Sequence, residues 1–385
     1  MHGTERQKAR QTLLVLHPAF ALTGVLQAVS GPLMPSLAAT FHLNDSQSGV
    51  LFLLYFAGNS VGALLCRSNY ARTMTVGFLA LSVGCLSAAL ASGVFLYPAF
   101  MLMGIACGVP MSAISLFVGR NFASRCAPTL TLLNFSWSAG ALSAPLLAAE
   151  LLVHHSYRSV YALLALAGVV AMLACWRSLT DGPEPATTAT QQRSFSNLRL
   201  VGIFALMAFL EVGIENTSLA WLPTFLLRSG GGGLALAAAS SSLYWVGFLS
   251  ARALSTLVLL RVPVMRVFHG TVALGILAAV LLVALPAGYG RGVAIFLLGA
   301  ALAPIFPLLM AALFARVRHT ADARWVLALC GFGGSVLPWM TGWISAHTGS
   351  LHLGLVTVPA ALLLMGCLLL LVGREPKETD VAAAS

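Results

Sequence analysis

Charge is what this sequence has least of. Charged side chains make up 8% of the 385 residues, against 59% hydrophobic ones, where a soluble domain carries about 25% charged residues. So thin a supply cannot cover the surface of a water-soluble chain of this length, and lipid is the expected solvent for most of it. The 21 Lys and Arg outweigh the 11 Asp and Glu, for a net charge of +10. They sit singly or in pairs between apolar stretches, however, and no basic run interleaved with aromatics is present. Nucleic acid is therefore excluded as a partner. The seven cysteines form no Cys-x-x-Cys pair and accompany no His cluster, so they read as small buried apolar residues without disulfide or metal roles. Walker-type loops, Gly-x-Ser-x-Gly elbows and His-Glu-x-x-His motifs are also missing. That excludes an enzyme of those types and transport driven by ATP on this chain.

Long apolar runs are what the sequence does have. A hydrocarbon core about 30 Å thick needs about 20 apolar residues of helix. Runs of that kind fall at 12–38, 47–66, 73–92, 95–119, 128–153, 158–178, 199–227, 236–259, 264–286, 292–316, 324–347 and 351–373. The first follows Arg6, Lys8 and Arg10 and continues through Pro32 and Pro35, too long for a cleaved leader. The expected fold is an all-α membrane protein, with twelve transmembrane helices in two pseudo-symmetric six-helix bundles. Basic residues retained on the cytoplasmic side set the orientation. With both termini inside, only Arg158, Arg228 and Arg291 fall in outside loops, and Arg252 lies within span 8 near its cytoplasmic end. The expected location is a plasma membrane of bacterial type, crossed many times, with both termini cytoplasmic.

Residues 179–197 are polar, aperiodic and carry Pro183 and Pro185, which reads as a flexible cytoplasmic linker. The expected organisation is a first bundle over 1–178, that linker, and a second bundle over 198–385. Sliding one bundle onto the other puts Pro35 opposite Pro223, Ser30 opposite Ser218 and Gln27 opposite Glu215. Nearly the same offset, one to seven residues longer, sets Gly58 near Gly247, Gly104 on Gly299, Gly140 on Gly333, Pro145 on Pro338 and His154 on His347. Agreement across four helix pairs points to two parallel repeats. Transporters of that construction hold substrate near the bilayer midplane between their halves.

Six helices, a linker and six more, with Asn44-Asp45-Ser46-Gln47-Ser48-Gly49 opening span 2 and the paired glycines, resemble the major facilitator superfamily over essentially the whole chain. That family's loop between spans 2 and 3 usually reads Gly-x-x-x-Asp-Arg-x-Gly-Arg-Arg. Here Gly62 and Arg67 survive, Cys66 stands at the Asp position, and the later Gly and Arg are gone. The resemblance gives Arg67 a conformational role, in a latch that Cys66 leaves altered or absent. Within the superfamily, Glu211-Val212-Gly213-Ile214-Glu215-Asn216 with Trp221 downstream is similar to the fucose permease group of sugar/proton symporters. So are Asn134-Phe135-Ser136-Trp137 and Ala303-Pro304-Ile305-Phe306-Pro307. That group also places an acid in span 1, where this chain has only Gln27.

Only Glu150, Glu211 and Glu215 among the acids fall inside spans. An ionised carboxylate at the bilayer centre costs about 2.5–3.5 kcal/mol on the more lenient scale, so such residues mark function by default. Glu211 and Glu215 are four apart on one helix face. No Lys or Arg is expected at their depth, which leaves protonation or neutral hydrogen-bond partners to hold them. Both are candidate proton-coupling residues, with Glu215 favoured because it answers Gln27. Glu150, four residues before His154, is a third, and the two form a candidate outer gate. Arg252 joins Arg67 and His154 as a candidate conformational residue. His17, Trp221 and Trp343 read as interfacial.

The amides Gln27, Asn59, Asn134 and Asn216 stand inside apolar spans and supply donors and acceptors without net charge, which suits a polyhydroxylated ligand. Together with Glu215, Trp137, Tyr244, Trp245, Phe306 and Trp339, whose rings can face a sugar's C–H surface, they form the candidate solute site. The expected function is proton-coupled import of a neutral monosaccharide by alternating access. Alternatives are a proton-coupled exporter of apolar or cationic compounds and a sugar uniporter. The proton is the expected coupling ion, with no cofactor and no metal; the expected partners are a small solute and the bilayer, and the expected state is a monomer.

Overall fold

The computed structural model describes residues 2–66, 69–122, 126–180, 198–230, 233–314 and 320–374. Among the described residues every regular element is a helix. They are α1 (His2–Phe41), α2 (Asp45–Leu64), α3 (Tyr70–Leu90), α4 (Leu96–Asn121), α5 (Cys126–His154), α6 (Tyr157–Ser178) and α7 (Leu198–Gly230). The remainder are α8 (Leu234–Leu259), α9 (Val264–Ala284), α10 (Tyr289–Leu302), α11 (Ile305–Phe314), α12 (Thr320–Thr348), α13 (Leu351–Leu355) and α14 (Thr357–Arg374). Among the described residues eleven segments are long and apolar enough to cross a membrane, and α12, at 29 residues, is long enough to be the twelfth.

Local chemistry explains the boundaries. The Asn44–Gly49 segment opens α2 as a capping box: the Gln47 amide donates to Asn44 Oδ1, and the Asn44 amide donates to Gln47 Oε1, each at 2.9 Å. Asn69 caps α3 by accepting from the Arg72 amide at 3.2 Å. α1 has 40 residues and runs on through Pro18, Pro32 and Pro35. At 1.5 Å per residue that is about 60 Å, twice the hydrocarbon thickness, so the expected span covers only its middle. Span ten, expected as one helix, is two: α10 ends at Leu302 and α11 restarts at Ile305. Pro304 and Pro307 have no amide hydrogen for the carbonyls four residues back, and the helix parts between them and α10.

The chain divides into two compact units, residues 1–188 with 231–242, and residues 189–230 with 243–385. Of the expected linker, all but Leu179 and Thr180 lies outside the described residues, as does Arg67.

In the first unit α2 lies on α4 so closely that a Cβ on Gly104 would collide with the Tyr55 carbonyl, and one on Gly58 with the Met101 carbonyl. α1 and α5 meet the same way at Gly140, whose absent Cβ makes room for the Ala21 carbonyl. The second unit repeats each contact: Gly299 against the Tyr244 carbonyl, Gly247 against that of Phe296, Gly333 against that of Phe209. The glycines that align between the two halves of the sequence thus do the same physical work, admitting a facing backbone at one point of one helix pair. This agreement is structural support for the internal repeat.

Two residues of the second unit are more buried than their expected places imply. Trp221 is buried, not interfacial, and its indole Nε1 donates to the Pro338 carbonyl at 2.8 Å. Arg291, expected in an outside loop, is 4% exposed. Its guanidinium reaches the Leu285 carbonyl at the end of α9 and the Ser229 hydroxyl in the last turn of α7, and it covers the Phe225 ring at 4.8 Å. A charged group satisfied on several sides can be buried where an isolated one cannot. Trp343 does stay at the surface, 45% exposed and against His347.

Candidate solute and proton sites

In the first unit two of the candidate amides come together. Asn59 Nδ2 on α2 donates to Gln27 Oε1 on α1 at 3.1 Å. The Asn59 backbone is fixed beneath, because its carbonyl fills the space of a Cβ on Gly108 of α4. One turn away, the Tyr55 hydroxyl donates to the Leu26 carbonyl at 2.9 Å, and the Thr23 hydroxyl to the Phe20 carbonyl at 2.7 Å. Those neighbours spend their hydrogen bonds on backbone. The amide pair does not, so Gln27 Nε2 and Asn59 Oδ1 keep one donor group and one acceptor for a ligand.

The remaining first-unit candidates do not join that pair. Asn134 is exposed and donates to the Leu130 carbonyl of its own helix at 2.8 Å. Trp137, half-buried, stands a turn further along α5. Glu150 and His154 are both exposed and form no bond to one another, so the expected outer gate is not assembled; at a helix surface in contact with solvent, a pair four apart gains too little to be held. His17, half-buried, shares a 2.7 Å hydrogen bond with Ser136 across α1 and α5.

The second unit holds the acids. Glu211 is 1% exposed, and its Oε2 is buried with no hydrogen-bond partner. Glu215 is half-buried one turn later. From α8, Tyr244 (1% exposed) brings a buried hydroxyl that likewise has no partner. Arg252, also from α8, lies within electrostatic range of Glu211, Glu215 and Tyr244, and its guanidinium covers the Phe248 ring at 4.7 Å. The expectation that the two carboxylates lack a cation at their depth is therefore corrected. Counting residues from the end of span 8 placed the Arg252 Cα, but its long apolar stem carries the charge several ångströms along the helix.

Other second-unit candidates turn inward. Trp245 is 2% exposed, packed edge-on against Tyr244 and Phe248 with centroids at 5.5 and 5.2 Å. Asn216 is buried with its amide nitrogen over the Cα of Gly334. Tyr244, Trp245 and Asn216 have almost no surface to offer a solute in this structure, whereas Phe306 and Trp339 are half-buried and retain some. An aromatic that lines a cavity and one that fills a helix contact look alike in sequence, so sequence alone puts Tyr244 and Trp245 among the walls.

Residues 16–324 match the Major Facilitator Superfamily. Over 379 residues, covering 92% of this chain and 93% of the relative, the sequence is 25% identical to the glucose/mannose transporter GlcP of Bacillus subtilis (strain 168). Among solved structures, a D-xylose–proton symporter superposes with a TM-score of 0.73 at 13% identity, covering 93% of this chain and 97% of the other. FucP, a Major Facilitator Superfamily transporter in the outward conformation, does so with a TM-score of 0.63 at 16% identity, covering 94% and 99%. At those identities the two structures speak to fold alone.

Proposed function

The chain belongs to the major facilitator superfamily, and on that premise we propose that this multi-pass membrane transporter imports a neutral monosaccharide together with protons. It is a transporter and not an enzyme. The observation that carries the sugar reading is the Gln27–Asn59 pair, two neutral amides bonded to each other at 3.1 Å with donor and acceptor capacity left over. A sugar hydroxyl both donates and accepts, so an amide pair can match it without a net charge to compensate. The similarity to a glucose/mannose transporter over 92% of the chain supports the same substrate class.

Coupling rests on the second unit. Glu211 and Glu215 are two carboxylates in apolar surroundings, and an acid there changes its interactions sharply on gaining or losing a proton. Arg252 beside them argues against the exporter alternative, since a cationic compound would meet a guanidinium at the carboxylates. It does not favour an anion either, because two carboxylates already surround that charge. The proposed orientation keeps both termini in the cytoplasm, following the basic loops.

The test is uptake into proteoliposomes across a panel of monosaccharides, with and without an imposed inward proton gradient. The expected result is accumulation of at least one hexose above its external concentration only when the gradient is present. Equilibration without accumulation would instead mark a uniporter, and extrusion of a hydrophobic cation would overturn the sugar reading.

A further inference from the structure

The two repeats place different chemistry on one scaffold. Tyr55 and Tyr244 are equivalent, each with its carbonyl seated against a glycine of the facing helix, Gly104 and Gly299. On the same alignment Thr23 answers Glu211, Gln27 answers Glu215 and Asn59 answers Phe248. In the first unit this set is neutral and Tyr55 is anchored on the Leu26 carbonyl. In the second, Tyr244 has lost that anchor, and its hydroxyl and Glu211 Oε2 are both buried without partners. One is a donor and the other an acceptor, and they lie within electrostatic range of each other.

Charge sets the count. Among the described residues, two carboxylates four residues apart on one face of α7 lie within electrostatic range of one guanidinium, that of Arg252. Among the described residues, the other titratable groups in range are Tyr244 on α8 and Cys330 on α12, both neutral in their ordinary state. Among these groups one carboxylate charge is balanced and one is not, and an unbalanced charge in such a place is the costliest species available. We propose that Glu211 and Glu215 share one exchangeable proton, with Arg252 balancing the other carboxylate and Tyr244, as a positioning residue, donating its hydroxyl hydrogen bond to the pair. In the step itself one O–H bond of a hydronium ion breaks and one forms on a carboxylate oxygen, leaving a water molecule behind; Tyr244 keeps its own proton throughout. The proposal deepens the coupling reading above, fixing at one the number of protons the site can carry per cycle.

Infrared titration of the full chain in lipid tests this without needing transport. The expected result is one titrating carboxylic-acid band per molecule that is lost, not halved, in Glu211→Gln and equally in Glu215→Gln, because the remaining carboxylate is held ionised by Arg252. Arg252→Met should double the band, and Arg252→Lys should restore the single one. Tyr244→Phe should move it to higher frequency, as a carbonyl does on losing a donor. A band merely halved in each Gln variant, an unchanged band in Arg252→Met, or an unmoved band in Tyr244→Phe would overturn the proposal. Since Lys retains the charge and Phe the volume, the set does not hang on one variant folding. If the bands behave as stated while uptake ignores an imposed proton gradient, the shared proton stands and only its use in coupling falls.

Discussion

Asn59 and Gln27 join α2 to α1 through one 3.1 Å amide–amide hydrogen bond, while the equivalent pair in the second unit is Phe248 and Glu215, which cannot form it. The neutral polar contact and the ionisable one are therefore segregated, one to each repeat.

The first prediction follows from that bond. Gln27→Ala and Asn59→Ala should each weaken sugar binding by about 1–2 kcal/mol, the cost of a lost hydrogen bond with its partner left exposed to a ligand that no longer matches it. That is about 5- to 30-fold in Kd. Calorimetric titration of the purified protein with the transported hexose would check it. The double variant should cost less than the sum of the two, since both remove one shared contact.

Glu215→Gln should abolish accumulation under a proton gradient and leave counterflow exchange intact, because exchange needs the solute site but no net proton movement. Parallel assays on one proteoliposome preparation separate the two. Unchanged accumulation would clear Glu215 of the role.

Packing gives a third expectation. Gly104→Ala and Gly299→Ala force a methyl against a facing backbone carbonyl, and overpacking of that kind costs about 1–3 kcal/mol. Both should lower the thermal unfolding midpoint in detergent by several degrees. Gly119→Ala, also on α4 but with open space around it, should leave the midpoint level or raise it slightly, as alanine is the better helix former.

Arg291→Met keeps bulk and removes the charge that ties the Ser229 hydroxyl and the Leu285 carbonyl to the start of α10. Hydrogen bonds from a charged donor contribute about 1.5–3 kcal/mol, so unfolding in detergent should begin at lower temperature. Arg291→Lys should recover only part of the loss, because an ammonium cannot reach both partners with the same fork.

Much of this was legible in the sequence, for identifiable reasons. Spans are legible because a membrane imposes a minimum apolar length, and the repeat because Gly104 and Gly299 answer a steric demand that no other residue meets. Glu211, Glu215, Gln27 and Asn59 stood out as polar groups in apolar runs. What could not be read was reach and burial. Arg252 is counted by its Cα but acts at its guanidinium; Trp221 and Trp343 share a residue type and differ only in whether a carbonyl waits nearby. Arg291 looks like any loop arginine until α7 and α9 are brought up beside it. The division of span ten was written in Pro304 and Pro307, but α1 carries three prolines inside one unbroken helix, so composition alone does not say which proline divides and which does not.

That division has a mechanical meaning. The carbonyls of Ala300 and Ala303 face prolines four residues on, so no amide of α11 holds them to the axis of α10. Ala301 through Ile305 are all buried, so protein and not lipid surrounds the gap, as an unmet carbonyl requires. The tenth crossing is thus two rods on a joint: two of the hydrogen bonds that stiffen an unbroken helix cannot form there, so a change of angle between the rods costs less at this point than along either of them.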